Sequence, residues 1–408
     1  MKQKVVVGLS GGVDSSVAAA LLIEQGYDVH GVYLECYNEP GCRTDQDKKD
    51  ALQVALKLGI EFTVLDFRKE YKEKVVEYFY REYEAGRTPN PDVMCNREIK
   101  FGIFYDWALS NDYDFVATGH YCRIADRETP ESKVNLKINE GIDLSGVSRK
   151  VLQRARDESK DQSYFLWRIP GDHLEHILFP LGNMLKTEVR AKAKELGLST
   201  ANKPDSMGIC FIGEVNVNQL LEDRLGEHPG EVVMRVPIGS DPVSLRSTKQ
   251  PAKGGLSLAG QTLTRNEVVG SHRGLWFYTI GERGGFDIDK KILKKIGLHP
   301  EKMGPLYVIG KDQVNNLLIV GGREETMRDS FRIIDDTGEA GLPAQVGLAP
   351  TGTSKLFARI RNLGELYEVS QLRGGIVTLK EPIFAVAEGQ STVFYDDQAI
   401  LVGGGIIV

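Results

Sequence analysis

Over residues 1–120 short apolar runs alternate with segments of helical periodicity. KVVVGL reads as a strand, and SSVAAALLIEQ, residues 15–25, as a helix closed by Gly26, since a glycine just past the last periodic residue accepts the left-handed turn that ends a helix. YDVHGVYLE reads as strand, DQDKKDALQVALKLG as helix stopping at Gly59, and EFTVLDF as strand. A helical stretch, KEYKEKVVEYFYREYEAG, leads into a Pro/Asn loop, then a helix near 97–109, then YDFVATGHY. This β-α-β-α order predicts an α/β fold with a parallel sheet covered on both faces. KTEVRAKAKELG, residues 186–197, predicts a helix with Thr187 as its cap.

Beyond about residue 225 the pattern changes, with frequent Gly and Pro and short β-branched runs such as GEVVM, LYVIG, LLIVGG, GGIVTL and STVFY. That pattern predicts small antiparallel barrels. The expected division is a nucleotide-binding catalytic domain over 1–224, a small β-rich domain over 225–312 and a C-terminal β-barrel over 313–408. The polar, aperiodic stretch 126–150 reads as a surface insertion, and no long internal repeat is visible.

At 408 residues, 26% charged and 41% hydrophobic, the composition is that of a globular protein with several domains. The apolar run VAAALLI is far short of the ~20 residues that cross a bilayer. The N-terminus carries no cleavage pattern, so a cytoplasmic protein is expected, or an organellar one lacking its targeting segment. A net charge of −6 means that any nucleic-acid contact must rest on local patches. Five cysteines, at 36, 42, 95, 122 and 210, form no C-x-x-C, which argues against a closed zinc site and a disulfide framework but leaves open a sulfur-handling pair.

SGGVDSS, residues 10–16, sits between the first strand and the first helix. Such a turn offers backbone N–H groups and the positive end of a helix dipole to an anion. Gly8, Gly11 and Gly12 allow close approach, and Ser10 and Ser15 add hydroxyl donors. The lysine of the common phosphate loop is missing, since Val13 and Asp14 follow the glycines, and G-x-G-x-x-G is not matched. A plain strand-to-helix turn is the alternative. Asp14 fits either a Mg²⁺ contact or a helix-capping role.

GRTPNPDVMCNREIKFG and KPDSMGICFIG each place a cysteine beside basic residues: Arg97 and Lys100 near Cys95, and Lys203 before Cys210. Positive neighbours and helix N-termini favour the thiolate. Cys36, Cys42 and Cys122 have no such setting and read as small buried apolar residues.

The S-G-G-x-D-S loop resembles that of the PP-loop ATP pyrophosphatases, which cleave ATP between the α and β phosphates. The resemblance implies adenylation and explains the absent lysine, because no γ-phosphate is transferred. Together with the two cysteine segments, ATGHY, KDQSYFL, GLWFYTIGERGG and the terminal GGGII, the chain resembles the tRNA-specific 2-thiouridylase family (MnmA, or TrmU) over nearly its whole length. The resemblance implies an ATP-dependent tRNA-uridine 2-sulfurtransferase with ATP and Mg²⁺ as cofactors. Its partners would be tRNAs for Lys, Glu and Gln, and a persulfide donor, either a cysteine desulfurase or a sulfur-relay protein; the chain would work as a monomer away from membranes. It implies Cys95 as nucleophile, Cys210 as persulfide carrier and Asp92 as acid/base assistant. Gly8, Leu9, Ser10, Gly11, Gly12, Val13, Asp14, Ser15, Leu34 and Gly119 match the ATP site. Asn90, Pro91 and Asp92 match the segment that meets the target base, Lys160, Asp161 and Gln162 a tRNA-contacting segment, and Arg359, Ile360 and Arg361 a basic strip that touches tRNA. No residue is assigned to a protein-held metal, and His120 reads as structural.

The chain departs from the family pattern in GERGG, where Glu282 and Gly284 replace a neutral residue and a lysine, in lacking a tryptophan after Leu34, and in the long stretches 126–150 and 236–270. Further basic patches are RKVLQRAR at 149–156, the set Lys186, Arg190, Lys192 and Lys194, and KKILKK at 290–295. Three rival readings are a PP-loop ligase or amidating enzyme, an iron–sulfur tRNA thiolase using Cys95, Cys210 and Asp92 as ligands, and a non-catalytic tRNA- or nucleotide-binding protein.

Overall fold

The computed structural model describes residues 2–37, 44–126, 150–205, 216–237, 257–258, 261–262, 264–335 and 355–408. Its first unit is a five-stranded parallel sheet of β1 (Lys4–Gly8), β2 (Asp28–Glu35), β3 (Glu61–Asp66), β4 (Phe115–Ala117) and the short Ile177–Leu178, in the order β3-β2-β1-β4 and then 177–178. β1 lies at the centre, and its Val5, Val6 and Val7 are wholly buried because both faces are covered. The chain turns one way from β1 to β2 and the other way to reach β4. The C-terminal ends of β1 and β4 therefore bound the crevice where open α/β sheets hold ligands.

Helix α1 (Val13–Glu24) follows β1 directly and is buried almost all round, from Val13 to Leu22. It ends as expected: Gly26 adopts φ +92°, and the Tyr27 N–H reaches back to the Leu22 carbonyl at 3.1 Å. Helix α2 (Thr44–Leu58) likewise stops at Gly59, φ +68°. The helix expected near 97–109 starts earlier. Asn90 caps it by accepting from the Val93 N–H at 3.3 Å, Pro91 occupies the first turn, and helix continues through Pro91–Met94, a wide π-helical Cys95–Ile103 and Phe104–Ser110. Asn followed by Pro is a helix start, because the N–H that proline lacks would have no partner within the helix at that position. The helix Lys186–Glu195 is not capped by Thr187; carboxylates of Glu188 and Asp157 accept from the N–H groups of Leu185 and Lys186, at 2.7 and 2.8 Å.

Strands Cys122–Asp126 and Lys150–Arg154 pair antiparallel at the two ends of the expected insertion, whose residues 127–149 lie outside the described set. In the second unit the described residues form a five-stranded sheet. Its order is Asp287–Ile288, Thr264–His272, Gly230–Pro237, Leu317–Gly321 and Tyr307–Asp312, and Leu317–Gly321 runs parallel to Gly230–Pro237. The expected boundary at 312/313 thus cuts a hairpin of this sheet, and the passage to the third unit falls between Gly321 and Met327. Part of the polar stretch 236–270 is the long strand Thr264–His272, while residues 238–256 lie outside the described set. The third unit is a closed six-stranded barrel running from Met327–Ile334 to Leu401–Ile407, which pair with each other.

Candidate active site

The loop after β1 packs tightly. Ser10 and Ser15 hydroxyls lie 3.1 Å apart, the Ser15 hydroxyl also accepts from the Ser10 N–H, and Ser16 Oγ donates to the Gly12 carbonyl at 2.7 Å. Gly11 adopts φ +72°, and a Cβ there would strike the Asp47 backbone of α2. A Cβ on Gly119, in the turn after β4, would stand 2.6 Å from the Ser15 N. No side chain caps α1 at Gly12. The first N–H groups of the helix thus open onto the crevice between β1 and β4, a cradle for phosphate oxygens. Leu9 and Val13 are buried beneath the loop, and Leu34 is buried at the end of β2.

The cation that the loop lacks comes from elsewhere. Lys203 Nζ donates to the Gly11 carbonyl at 2.8 Å and to Asp47 at 2.7 Å, and pairs with Asp50. Lys186 Nζ holds both Asp14 oxygens, at 2.7 and 2.8 Å, and the Tyr121 hydroxyl donates to the same carboxylate at 2.8 Å. Asp205 gathers Lys160, Lys186 and Arg190 within 2.5–2.9 Å. Burial raises the Asp205 carboxyl, but hydrogen bonds from Lys160 and Lys186 outweigh it and hold the group well below the usual carboxylate range. The sequence singled out Lys186 only as part of a surface patch and Lys203 only as a neighbour of Cys210; no spacing signal led to their place on the loop.

Asp14 is therefore engaged by a lysine and a tyrosine. Among the described residues no group of three His, Cys, Asp or Glu side chains could hold a metal ion. The Asp14 carboxylate at the start of α1 is a donor of the type that a Mg²⁺ carried on phosphate oxygens takes from a protein.

Cys95 sits not in a loop but in the second turn of the helical run that Asn90 starts, and it is fully buried. Of its basic neighbours, Arg97 pairs with Glu98 at 3.4 Å and Lys100 approaches His120 Nε2 at 3.5 Å. His120 is buried beside Thr118 and titrates well below its ordinary range, through burial first and Lys100 second. Cys36 and Cys122 are buried as expected, and burial pushes the Cys122 thiol well up, with Asp161 adding to it. Cys42 and Cys210 lie outside the described residues.

Just ahead of Cys95 opens a cleft of about 270 Å³. Asn90, Pro91 and Asp92 line it from the first unit, Arg361, Asn362 and Gln390 from the barrel, and the rings of Tyr83 and Phe165 add flat apolar surface. Such a cavity, with aromatic faces and convergent polar groups, suits an unstacked base.

The segments expected to touch tRNA are placed unevenly. Lys160 is half-buried on Asp205, and Gln162 is bound to the Tyr121 backbone through both its side chain and its own N–H. Asp161 is fully buried and pairs with Arg359, itself 3% exposed, at 2.7 Å. Asp161 also accepts from the Ala155 N–H and the Ser163 hydroxyl, and Ser163 meets the Tyr395 hydroxyl at 2.9 Å. Ile360 is buried too. The side chains of Asp161, Arg359 and Ile360 thus stand inside the joint between first unit and barrel, closed to RNA in this conformation; a short sequence match could not reveal this, because their partners are distant in the chain. Only Arg361 of that strip is exposed, donating to the Ala385 carbonyl at 2.7 Å. The patch at 150–156 and the set at 186–194 are largely consumed in ion pairs, whereas Lys290, Lys291, Lys294 and Lys295 stand exposed around buried Leu293.

Comparison with known proteins gives three consecutive matches: a tRNA methyl transferase HUP domain over residues 3–214, a tRNA methyl transferase PRC-barrel domain over 257–322, and an aminomethyltransferase beta-barrel domain over 344–407. The tRNA-specific 2-thiouridylase MnmA of Acinetobacter baumannii (strain SDF) is 38% identical over 417 aligned residues, covering 100% of this chain and 97% of that protein. The protein of that name from Akkermansia muciniphila is 39% identical over 98% of both. A solved 4-thiouridine synthetase–RNA complex with bound ATP, 19% identical, covers 54% of this chain and 49% of its own at a TM-score of 0.34, too low to carry an argument. Full-length identity of this order settles the matter: the chain belongs to the tRNA-specific 2-thiouridylase (MnmA) family.

Proposed function

We infer that the chain is an ATP-dependent tRNA 2-thiouridine synthase acting on the wobble uridine of tRNAs for Lys, Glu and Gln. The observation that supports this reading is that one parallel-sheet unit carries both the Ser10–Ser15 loop at the start of α1 and Asn90–Asp92, which line a cleft shared with the barrel just ahead of Cys95 in the chain.

The uracil C2 oxygen is a poor leaving group. It attacks the α-phosphorus of ATP, so that pyrophosphate leaves and the oxygen becomes part of an AMP ester. The N–H groups at the start of α1 and the hydroxyls of Ser10 and Ser15 receive the departing pyrophosphate, with Gly8, Gly11, Gly12 and Gly119 leaving room and Leu34 at the adenosine end. Mg²⁺, when bound, neutralises charge on the phosphates. The terminal sulfur of a Cys210 persulfide attacks C2 and AMP leaves with the original oxygen. The Cys95 thiolate then attacks the Cys210 sulfur, giving C2=S and a Cys95–Cys210 disulfide, which a thiol reductant reopens. In a second route Cys95 attacks first and frees hydrosulfide, which adds to C2. Asp92 assists proton movement at the base. A cysteine desulfurase or sulfur-relay protein loads Cys210, the chain works as a monomer in the cytoplasm, and the exposed lysines at 290–295 meet tRNA phosphates. Among the described residues no helix is long and apolar enough to cross a membrane.

The test is to incubate the protein with unmodified tRNA, ATP, Mg²⁺, cysteine and a desulfurase, and to analyse nucleosides by mass spectrometry. The expected products are 2-thiouridine and AMP in equal amounts; AMP without 2-thiouridine would point to a ligase or amidating enzyme. Lys203→Met leaves Asp47 and Asp50 beside the loop without their cation, so the KM for ATP is expected to rise about tenfold, the worth of one charged hydrogen bond. Titration with a non-hydrolysable ATP analogue should show the same loss, while tRNA affinity stays unchanged.

A further inference from the structure

The turn that leads into the helix of Asp92 and Cys95 is poor in hydrogen-bond donors. In Thr88-Pro89-Asn90-Pro91 two of four residues have no N–H, which halves the donors this turn can offer to its own carbonyls. The barrel supplies a donor: Gln390 Nε2 reaches the Thr88 carbonyl at 2.9 Å and the Pro89 carbonyl at 3.1 Å. The Thr88 N–H in turn donates to the Glu388 carbonyl at 2.8 Å. Between these contacts Gly389 comes so close that a Cβ on it would lie 2.8 Å from the Thr88 oxygen; its φ of +86° also demands glycine.

The barrel side of this contact is itself held firmly. Gly389 N–H donates to the Ile407 carbonyl at 2.8 Å and Ile407 N–H to the Gln390 carbonyl at 2.9 Å, which ties the turn to the last barrel strand. The middle unit contributes a further hold, since Lys311 Nζ donates to the Gly86 carbonyl at 2.9 Å and Thr279 Oγ1 meets Thr88 Oγ1 at 3.2 Å. The loop is thus fixed from both later units, and Gln390 also lines the cleft.

We propose that Gln390 is a positioning residue of the active site: by donating to the Thr88 and Pro89 carbonyls it sets the entry of the Asn90–Cys95 helix, so that the barrel forms part of the catalytic centre. The inference rests on the thiouridine-synthase reading. Its physical basis is that a catalytic group displaced by about 1 Å costs on the order of 100-fold in rate, and that groups in active sites hold their geometry through the residues that support them.

The test compares Gln390→Glu with Gln390→Lys in the full chain. Glutamate has the size and shape of glutamine but sets a carboxylate against two carbonyls; lysine keeps a donor. The expected result is a fall of kcat in Gln390→Glu of about 100-fold, with the KM for tRNA within about threefold, and recovery of most of kcat in Gln390→Lys. The rate of Cys95 alkylation by iodoacetamide, read by peptide mass spectrometry without tRNA or ATP, should change in Gln390→Glu and return in Gln390→Lys. If Gln390→Glu matches the parent in kcat and alkylation, or if both variants lose them equally, a packing role alone remains and the proposal is overturned. Absence of 2-thiouridine from the parent protein would instead sink the synthase reading, while the alkylation comparison would still decide the role of Gln390.

Discussion

Cys95→Ser and Cys210→Ser each lower 2-thiouridine formation by more than about 10³-fold, because each removes a sulfur that must form and break bonds and leaves a hydroxyl that cannot carry a persulfide. ATP affinity stays near that of the parent, since the Ser10–Ser15 loop proposed to hold the pyrophosphate is built from other elements. The two variants should differ in what accumulates. Cys210→Ser takes up no persulfide from the desulfurase. Cys95→Ser is loaded at Cys210 and stalls after its terminal sulfur has attacked C2, which traps tRNA on the protein through a disulfide that dithiothreitol reverses. Gel electrophoresis with and without reductant checks this. A Cys95→Ser protein that turns over at the parent rate would remove Cys95 from the reaction. By contrast, Cys36→Ser and Cys122→Ser substitute buried residues away from the cleft and leave the products unchanged.

The second large effect concerns stability. Asp161 and Arg359 form a pair with 0% and 4% of their side chains exposed, and Arg154 approaches the same carboxylate at 3.7 Å. Asp161→Ala leaves a buried guanidinium without its carboxylate, and Arg359→Met leaves a buried carboxylate short of its main partner. Each should destabilise the chain by about 3–5 kcal/mol, whereas the double variant Asp161→Leu/Arg359→Met recovers much of the loss, because the penalty of an unpaired buried charge is gone. Urea unfolding followed by tryptophan fluorescence is the measurement, since Trp167 lies at the same joint, donating to Ser391 Oγ at 3.0 Å. If these residues contact tRNA instead, the single variants raise the KM for tRNA at unchanged stability.

The two cases mark what the chain discloses by itself. The S-G-G-x-D-S loop was legible because strand, turn and helix are contiguous, and Gly26 and Gly59 announced their helix ends for the same local reason. The Asn90–Pro91 pair was misjudged as loop, although a capping Asn before a Pro is a helix start, because the helix there is wide and its apolar spacing drifts from the regular period. Contacts between distant segments left no trace in the pattern: Lys203 on Gly11, Gln390 on Thr88, and Arg359 on Asp161. The parallel pairing of Leu317–Gly321 with Gly230–Pro237 was equally hidden, since an isolated β-branched run does not state its partner.

On the proposed route the uracil C2 oxygen attacks the α-phosphorus of ATP. Its most direct test is a tRNA transcript made with uridine labelled with ¹⁸O at C2, incubated with the protein, unlabelled ATP, Mg²⁺ and the persulfide-generating system in ordinary water, followed by mass spectrometry of the AMP. AMP heavier by one ¹⁸O atom is expected in step with 2-thiouridine formation; unlabelled AMP alongside 2-thiouridine would rule this route out.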